Sequence, residues 1–141
     1  MHNTKTMSAL GPAPVTTQRR IRTIVLWVLQ VLLAFMFAGG GWLKISGAPV
    51  MVDMFATIGA GQWFRVMVGA LEMAGAIGLL IPPLAGLAAL GLTGLLVGAI
   101  ATNLFILHID SSVAIVLLLL SALIAWGRWS QTKRLAALRW R

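Results

Sequence analysis

Four apolar stretches govern what this chain can become. No formally charged residue occurs from Thr23 to Leu43, from Leu84 to Leu107 or from Val113 to Gly127, and Val66 to Ile81 is interrupted only by Glu72. Inside a bilayer the backbone must satisfy its own hydrogen bonds, which leaves helices or closed barrels. A spanning helix needs about 20 predominantly apolar residues at a rise of about 1.5 Å each. The stretches fit that length, although Val113–Gly127 is short and draws on Ser111, Ser112, Arg128 and Trp129 to reach the interfaces. The first stretch reads as a membrane anchor and not as a cleaved signal. A signal core would be about 7–15 residues and end at small residues, and Phe35-Met36-Phe37-Ala38 is a poor cleavage site.

Composition agrees. Apolar residues make up 60% of the 141-residue chain and charged ones 10%, against about 25% charged in an ordinary soluble domain. A chain this short forms one domain and cannot bury that much apolar surface within itself. There is no cysteine, which excludes disulfides, thiolate metal sites, iron–sulfur clusters and thiol catalysis. The two histidines, His2 and His108, are too few for a bis-histidine haem or a zinc site built by this chain alone. The net charge of +8 would suggest nucleic acid if it lay on a folded face. It flanks apolar runs instead, so membrane topology explains it and no nucleic-acid partner is expected.

The expected organisation is all-α: an integral membrane four-helix bundle over 23–129, between a disordered basic tail at 1–22 and a basic tail at 130–141. The latter is read either as an interfacial helix or as a solvated tail. Between the first two spans, Pro49 suits a first helical turn. Met51, Met54, Phe55 and Ile58 then recur at helical spacing before Gly59-Ala60-Gly61, which predicts a short interfacial amphipathic helix. Pro82-Pro83 makes a tight turn. Asp110, Ser111 and Ser112 are placed to cap the last span. Lys5, Arg19, Arg20 and Arg22 precede the spans and Arg128, Lys133, Arg134, Arg139 and Arg141 follow them, while the connections hold only Lys44 and Arg65. The positive-inside rule then places both termini in the cytoplasm; the expected location is the plasma (inner) membrane of a bacterium. Trp42 and Trp63 are expected at the outer interface, and Trp27, Trp126 and Trp129 at the inner one. Small residues offer packing faces: Ala70, Ala74 and Gly78 in the second span, and Gly91, Gly94, Gly98 and Thr102 in the third. Gly39-Gly40-Gly41 suits tight packing, a kink or a close ligand approach.

Polar residues within the spans carry the functional information. Glu72 lies near the bilayer middle, roughly 12 Å from the outer end of its span, where an ion costs on the order of 3 kcal/mol. Arg65 shares its helical face. Lys44 ends the first span on the same side, and Thr102, Asn103 and His108 close the third there. The opposite half, toward the basic tails, is read as free of polar residues. Candidate ligand or proton-site residues are therefore Glu72, Lys44, Asn103, His108 and Arg65. A structural Lys44–Glu72 ion pair remains the alternative, as does an interfacial loop histidine for His108. No nucleophile–base pair, phosphate loop or metal cluster is present, so no catalytic residue and no metal ligand is assigned.

Phe37-Ala38-Gly39 with the following Lys44, and Gly69-Ala70-Leu71-Glu72-Met73-Ala74-Gly75 followed by Gly78-Leu79-Leu80-Ile81-Pro82, together resemble the DoxX-like family of small four-span membrane proteins. The resemblance runs from about residue 24 to 126. It implies a four-helix bundle and a place in redox metabolism, because the family name derives from a subunit of a thiosulfate:quinone oxidoreductase and other relatives are linked to oxidative-stress complexes. It carries over Lys44 and Glu72 as shared polar positions. The leading expectation is a membrane subunit or accessory of a quinone-linked redox system, not catalytic alone. Its partners are the lipid bilayer and a redox enzyme, and quinone is the candidate ligand, with no cofactor built in. A small transporter, which would require a homo-oligomer, and a structural or assembly factor without ligand are the alternatives.

Overall fold

The structure is a computed structural model that describes residues 13–138. The first part of the tail assigned to 1–22, His2 included, lies outside the described residues, as do Arg139 and Arg141. Helix α1 (Ala13–Ile45) starts well before Thr23, so the later part of that tail is helical. The reason is local. Pro14 falls in the first turn, where proline is tolerated, and no glycine or proline follows until Gly39. Charge sets where an apolar span begins, but it does not stop a helix: arginine is a good helix former.

Helix α2 (Pro49–Ile58) matches the amphipathic segment, with Pro49 in its first turn and Gly59 closing it at φ 80°. Phe55 is buried and its ring lies 5.8 Å from that of Phe64. Helix α3 (Gln62–Leu80) follows, then a short 3-10 turn at Pro82–Leu84 and helix α4 (Ala85–Thr102). Helix α4 does not run regularly to Leu107, as its apolar pattern suggests. Asn103–Leu107 widens into a π-type turn that ends at His108 in a left-handed conformation, φ 51°. Helix α5 (Ser112–Gly127) and helix α6 (Trp129–Leu138) complete the chain.

Helices α1, α3, α4 and α5 form a four-helix bundle in which α1 packs on α3 and α5, and α4 packs on α3 and α5. Helices α1, α3 and α4 with its π extension are long and apolar enough to cross a membrane, while α5, with 16 residues, is shorter. The core includes Leu33, Phe37, Leu79, Ala89, Leu92 and Ile124. The outside is as apolar as the inside: Phe35 is 79% exposed, Phe105 78% and Leu119 64%. Water would not tolerate such a belt around a monomer; lipid does. Trp42 and Trp63 sit toward one end of the bundle, and Trp27, Trp126 and Trp129 toward the basic end. Helix α6 packs against the start of α4, where Gly86 leaves room for Thr132 and Arg128.

Small residues determine how closely the helices approach, but not all at the expected positions. A Cβ at Gly41 would lie 2.8 Å from the Gly69 carbonyl oxygen, and one at Gly69 would lie 2.9 Å from that of Gly41. Gly75 accommodates Leu92, and Gly78 accommodates Ala88. Ala70 and Ala74, by contrast, are exposed, and Gly91, Gly94 and Gly98 meet nothing within 4 Å. So the small face predicted for α4 does not pack within the chain, and that of α3 is rotated toward Gly69. In helices that are apolar all round, spacing alone does not say which face a neighbour covers.

The closest crossing should be the most sensitive to added volume. Gly69→Leu is expected to destabilise the bundle by about 1–3 kcal/mol through overpacking, whereas Gly94→Leu should leave thermal unfolding in detergent close to wild type.

Candidate functional site

The glycine contact between α1 and α3 brings the two intramembrane charges together. A helical side chain leans back toward its own N-terminus, so Lys44, near the end of α1, reaches over the preceding turn. Gly40 occupies that turn. A Cβ there would lie 3.3 Å from Glu72 Oε2 and 3.8 Å from Lys44 Nζ. In the space left by the glycine, Lys44 Nζ donates to Glu72 Oε2 at 3.0 Å. The two side chains keep 14% and 12% exposure, so the pair is recessed but not sealed.

Arg65 joins this cluster through the backbone. Its guanidinium donates to the Lys44 carbonyl oxygen, one of the carbonyls that a helix end leaves without an internal partner, and its Nε donates to Gln62 Oε1 at 2.7 Å. Gln62 Nε2 in turn donates to the Val52 carbonyl at 3.1 Å. The chain Lys44–Arg65–Gln62–Val52 thus fixes the end of α1, the start of α3 and the middle of α2 against one another.

Asn103 and His108 are not drawn into the pair: among the described residues, no side-chain hydrogen bond links either of them to Lys44 or Glu72. The Asn103 carbonyl accepts the backbone N–H groups of His108 and Ile109. His108 therefore supplies the left-handed residue that closes a helix, a position more often taken by glycine or asparagine, and its side chain is exposed. Asp110 caps α5, accepting from Ser112 Oγ at 2.7 Å and from Ser112 N at 3.1 Å. Those bonds, the hydroxyl one foremost, hold its carboxyl below the usual carboxylate range, and its negative charge sits at a favourable helix N-terminus. Ser111 does not cap with its side chain. Among the described residues no cluster of three or more potential metal ligands occurs.

The half of the bundle toward the basic segments is not free of polar residues. Gln30 is fully buried, and its reason lies in the turn that follows α3. The carbonyls of Gly78 and Leu79 would ordinarily accept from residues 82 and 83, but both are proline and have no N–H. Ile81 N supplies the Gly78 carbonyl at 3.2 Å. Gln30 Nε2 supplies the Leu79 carbonyl at 2.7 Å. Gln30 Oε1 then accepts from Arg128 Nε at 2.8 Å. Arg128 is 6% exposed and stacks over Trp27 at 5.8 Å. Arg22 donates to the Gly127 carbonyl at 3.2 Å. Gln30 is visible in the sequence as a lone amide in an apolar run, and the adjacent prolines are the signal that gives it a partner.

With this architecture established, the chain can be compared with known proteins. A family model described as the DoxX-like family matches residues 28–127, and the chain belongs to that family. No curated protein and no solved structure matches it significantly. The chain is an integral membrane protein whose apolar belt faces lipid.

Removing one member of the Lys44–Glu72 pair strands the other in a poorly solvated place. Glu72→Gln and Lys44→Met are each expected to lower stability by about 1–3 kcal/mol, and the double variant by less than the sum, with a coupling of about 1 kcal/mol or more. Thermal unfolding of the four proteins in one detergent measures this; strict additivity would remove the pair as a fold determinant.

Proposed function

From this family membership and this bundle we propose that the protein is a membrane subunit or accessory of a quinone-linked redox system, and that Lys44 and Glu72 form its ligand site. The observation that carries the reading is the pair itself: a charged donor and acceptor 3.0 Å apart, set among apolar helices and reachable beside a glycine. Such a pair fits a carbonyl-bearing amphipathic ligand. The Lys44 ammonium donates to a ligand oxygen, and the Glu72 carboxylate accepts or returns a proton. Both contacts gain strength where water is scarce. A ligand oxygen that draws Lys44 aside leaves the Glu72 carboxylate without its counter-charge at a depth where that is costly, which couples ligand entry to proton uptake at Glu72. A quinone, when bound, would supply the electron-carrying chemistry. Arg65 acts by holding the Lys44 backbone, and Asn103 and His108 are peripheral contributors at the same end.

A specific observation favours a second reading. Gly41, Gly69 and Arg65 fix α1 on α3 so completely that the ion pair can serve as a lock between the two helices, with no ligand at all. Quinone retention separates the readings. Protein purified gently from its own membranes should carry extractable quinone, and Glu72→Gln and Lys44→Met should weaken its binding about tenfold, as for loss of a charge-assisted hydrogen bond. If both variants stay folded and retain quinone as wild type does, the ligand reading fails and the lock remains.

The proposed orientation, with both termini cytoplasmic, rests on the basic residues at 19–22 and 128–134 lying at one end of the bundle. Because the chain has no cysteine, a single introduced thiol is an unambiguous target. An impermeant maleimide should label Asp53→Cys in intact cells and Arg134→Cys only after the membrane is opened; the reverse pattern inverts the topology.

A further inference from the structure

Away from the ion pair, the basic end carries a groove that the preceding reading does not use. It runs between α1 and α5, has a volume of about 360 Å³, and is lined at its mouth by Gln18 and Arg22 and along its length by Val25, Leu29, Leu123 and Trp126. Its polarity changes in one direction, from the two polar side chains to purely apolar ones about 10 Å further along α1. Gln18 and Arg22 are four residues apart and so share a helical face. The Arg22 guanidinium is held at the mouth by its bond to the Gly127 carbonyl. That is its one hydrogen bond among the described residues, so most of its five N–H donors remain to be satisfied from outside.

Charge decides what fits. The three acidic residues of the chain, Asp53, Glu72 and Asp110, all lie on the α2 side or within the Lys44 pair, and none is at the groove. Arg19 and Arg20 are exposed one turn or less from its mouth. Arg22 and Arg128 are near enough for their like charges to act on each other. An anion at the mouth relieves that repulsion, and an apolar chain covers the rest. The exposed ring of Trp126, 76% accessible, flanks the place where the two would join, as an interfacial indole does.

We propose that this groove binds one anionic phospholipid, with its phosphate on Arg22 and Gln18 and an acyl chain against Val25, Leu29 and Leu123. The site discriminates by headgroup charge. A zwitterionic lipid brings its own cation to the guanidinium cluster, and a phosphatidylglycerol does not. Planar, forked guanidinium donors also suit phosphate oxygens better than a point charge does.

Native mass spectrometry of the full chain, released from detergent after incubation with equimolar dioleoylphosphatidylglycerol and dioleoylphosphatidylcholine, tests the site. One phosphatidylglycerol should remain bound under conditions that strip phosphatidylcholine. Arg22→Gln should weaken its retention about tenfold, while Lys133→Gln, an equal change of charge on α6, should leave it unaltered. Equal retention of the two lipids, or equal effects of the two variants, would overturn the proposal in favour of a diffuse basic surface. If Arg22→Gln does not fold, Val25→Trp decides: it keeps every charge and fills the groove, so loss of the bound lipid supports the site and unchanged retention refutes it.

Discussion

The bundle depends on two residues that have no side chain. Lipid gives helices no hydrophobic reason to associate, so contact must come from close packing and polar interactions. Gly41 and Gly69 let the backbones of α1 and α3 meet, each carbonyl oxygen too close to leave room for a Cβ on the other. Everything at that end follows from this contact. It sets Lys44 level with Gly69, which lets the lysine lean back over Gly40 to Glu72, and it puts the open end of α1 within reach of Arg65.

The two ends of the bundle handle polarity differently. At the basic end, Gln30 and Arg128 complete the hydrogen bonding of a helix end that prolines have left open, and an amide and a guanidinium are tied into three helices. That arrangement ties side chain to backbone across the bundle. At the other end Arg65 and Gln62 tie the backbone, while Lys44 and Glu72 form an ion pair that is recessed yet partly accessible. Its members can exchange one partner for another without unmaking any helix. This difference, more than the presence of charge, is why the proposed ligand site is the Lys44–Glu72 pair and why Gln30 is a residue of architecture.

Much of this was legible in the sequence. Long uncharged runs gave the spans, Pro49 and Gly59 gave the limits of α2, and Glu72 opposite Lys44 emerged because a lone acid in lipid needs a cation. Other features were hidden for physical reasons. The register of α3 on α1 depends on which of several small residues faces a neighbour, and a helix that is apolar on all sides does not encode that locally. The docking of α6 turns on Gly86, whose role exists only once the chain has folded back. The chemistry of Asn103 and His108 marks them as candidate site residues, but spacing does not show that the Asn103 carbonyl and the left-handed His108 also end a helix. Gln30 is hard to place because its partner is a carbonyl, marked in the sequence only by the prolines that leave it open.

That last point reaches beyond the single chain. Gln30 and Pro83 are far apart in sequence, yet one creates the need that the other meets. In relatives where residue 83 carries an N–H, the Leu79 carbonyl no longer needs the amide at 30, which then serves Arg128 alone. Where the proline stays, a donor of similar reach should persist. The two positions should therefore drift together through the family's history, linked by a hydrogen bond that one lost and the other replaced.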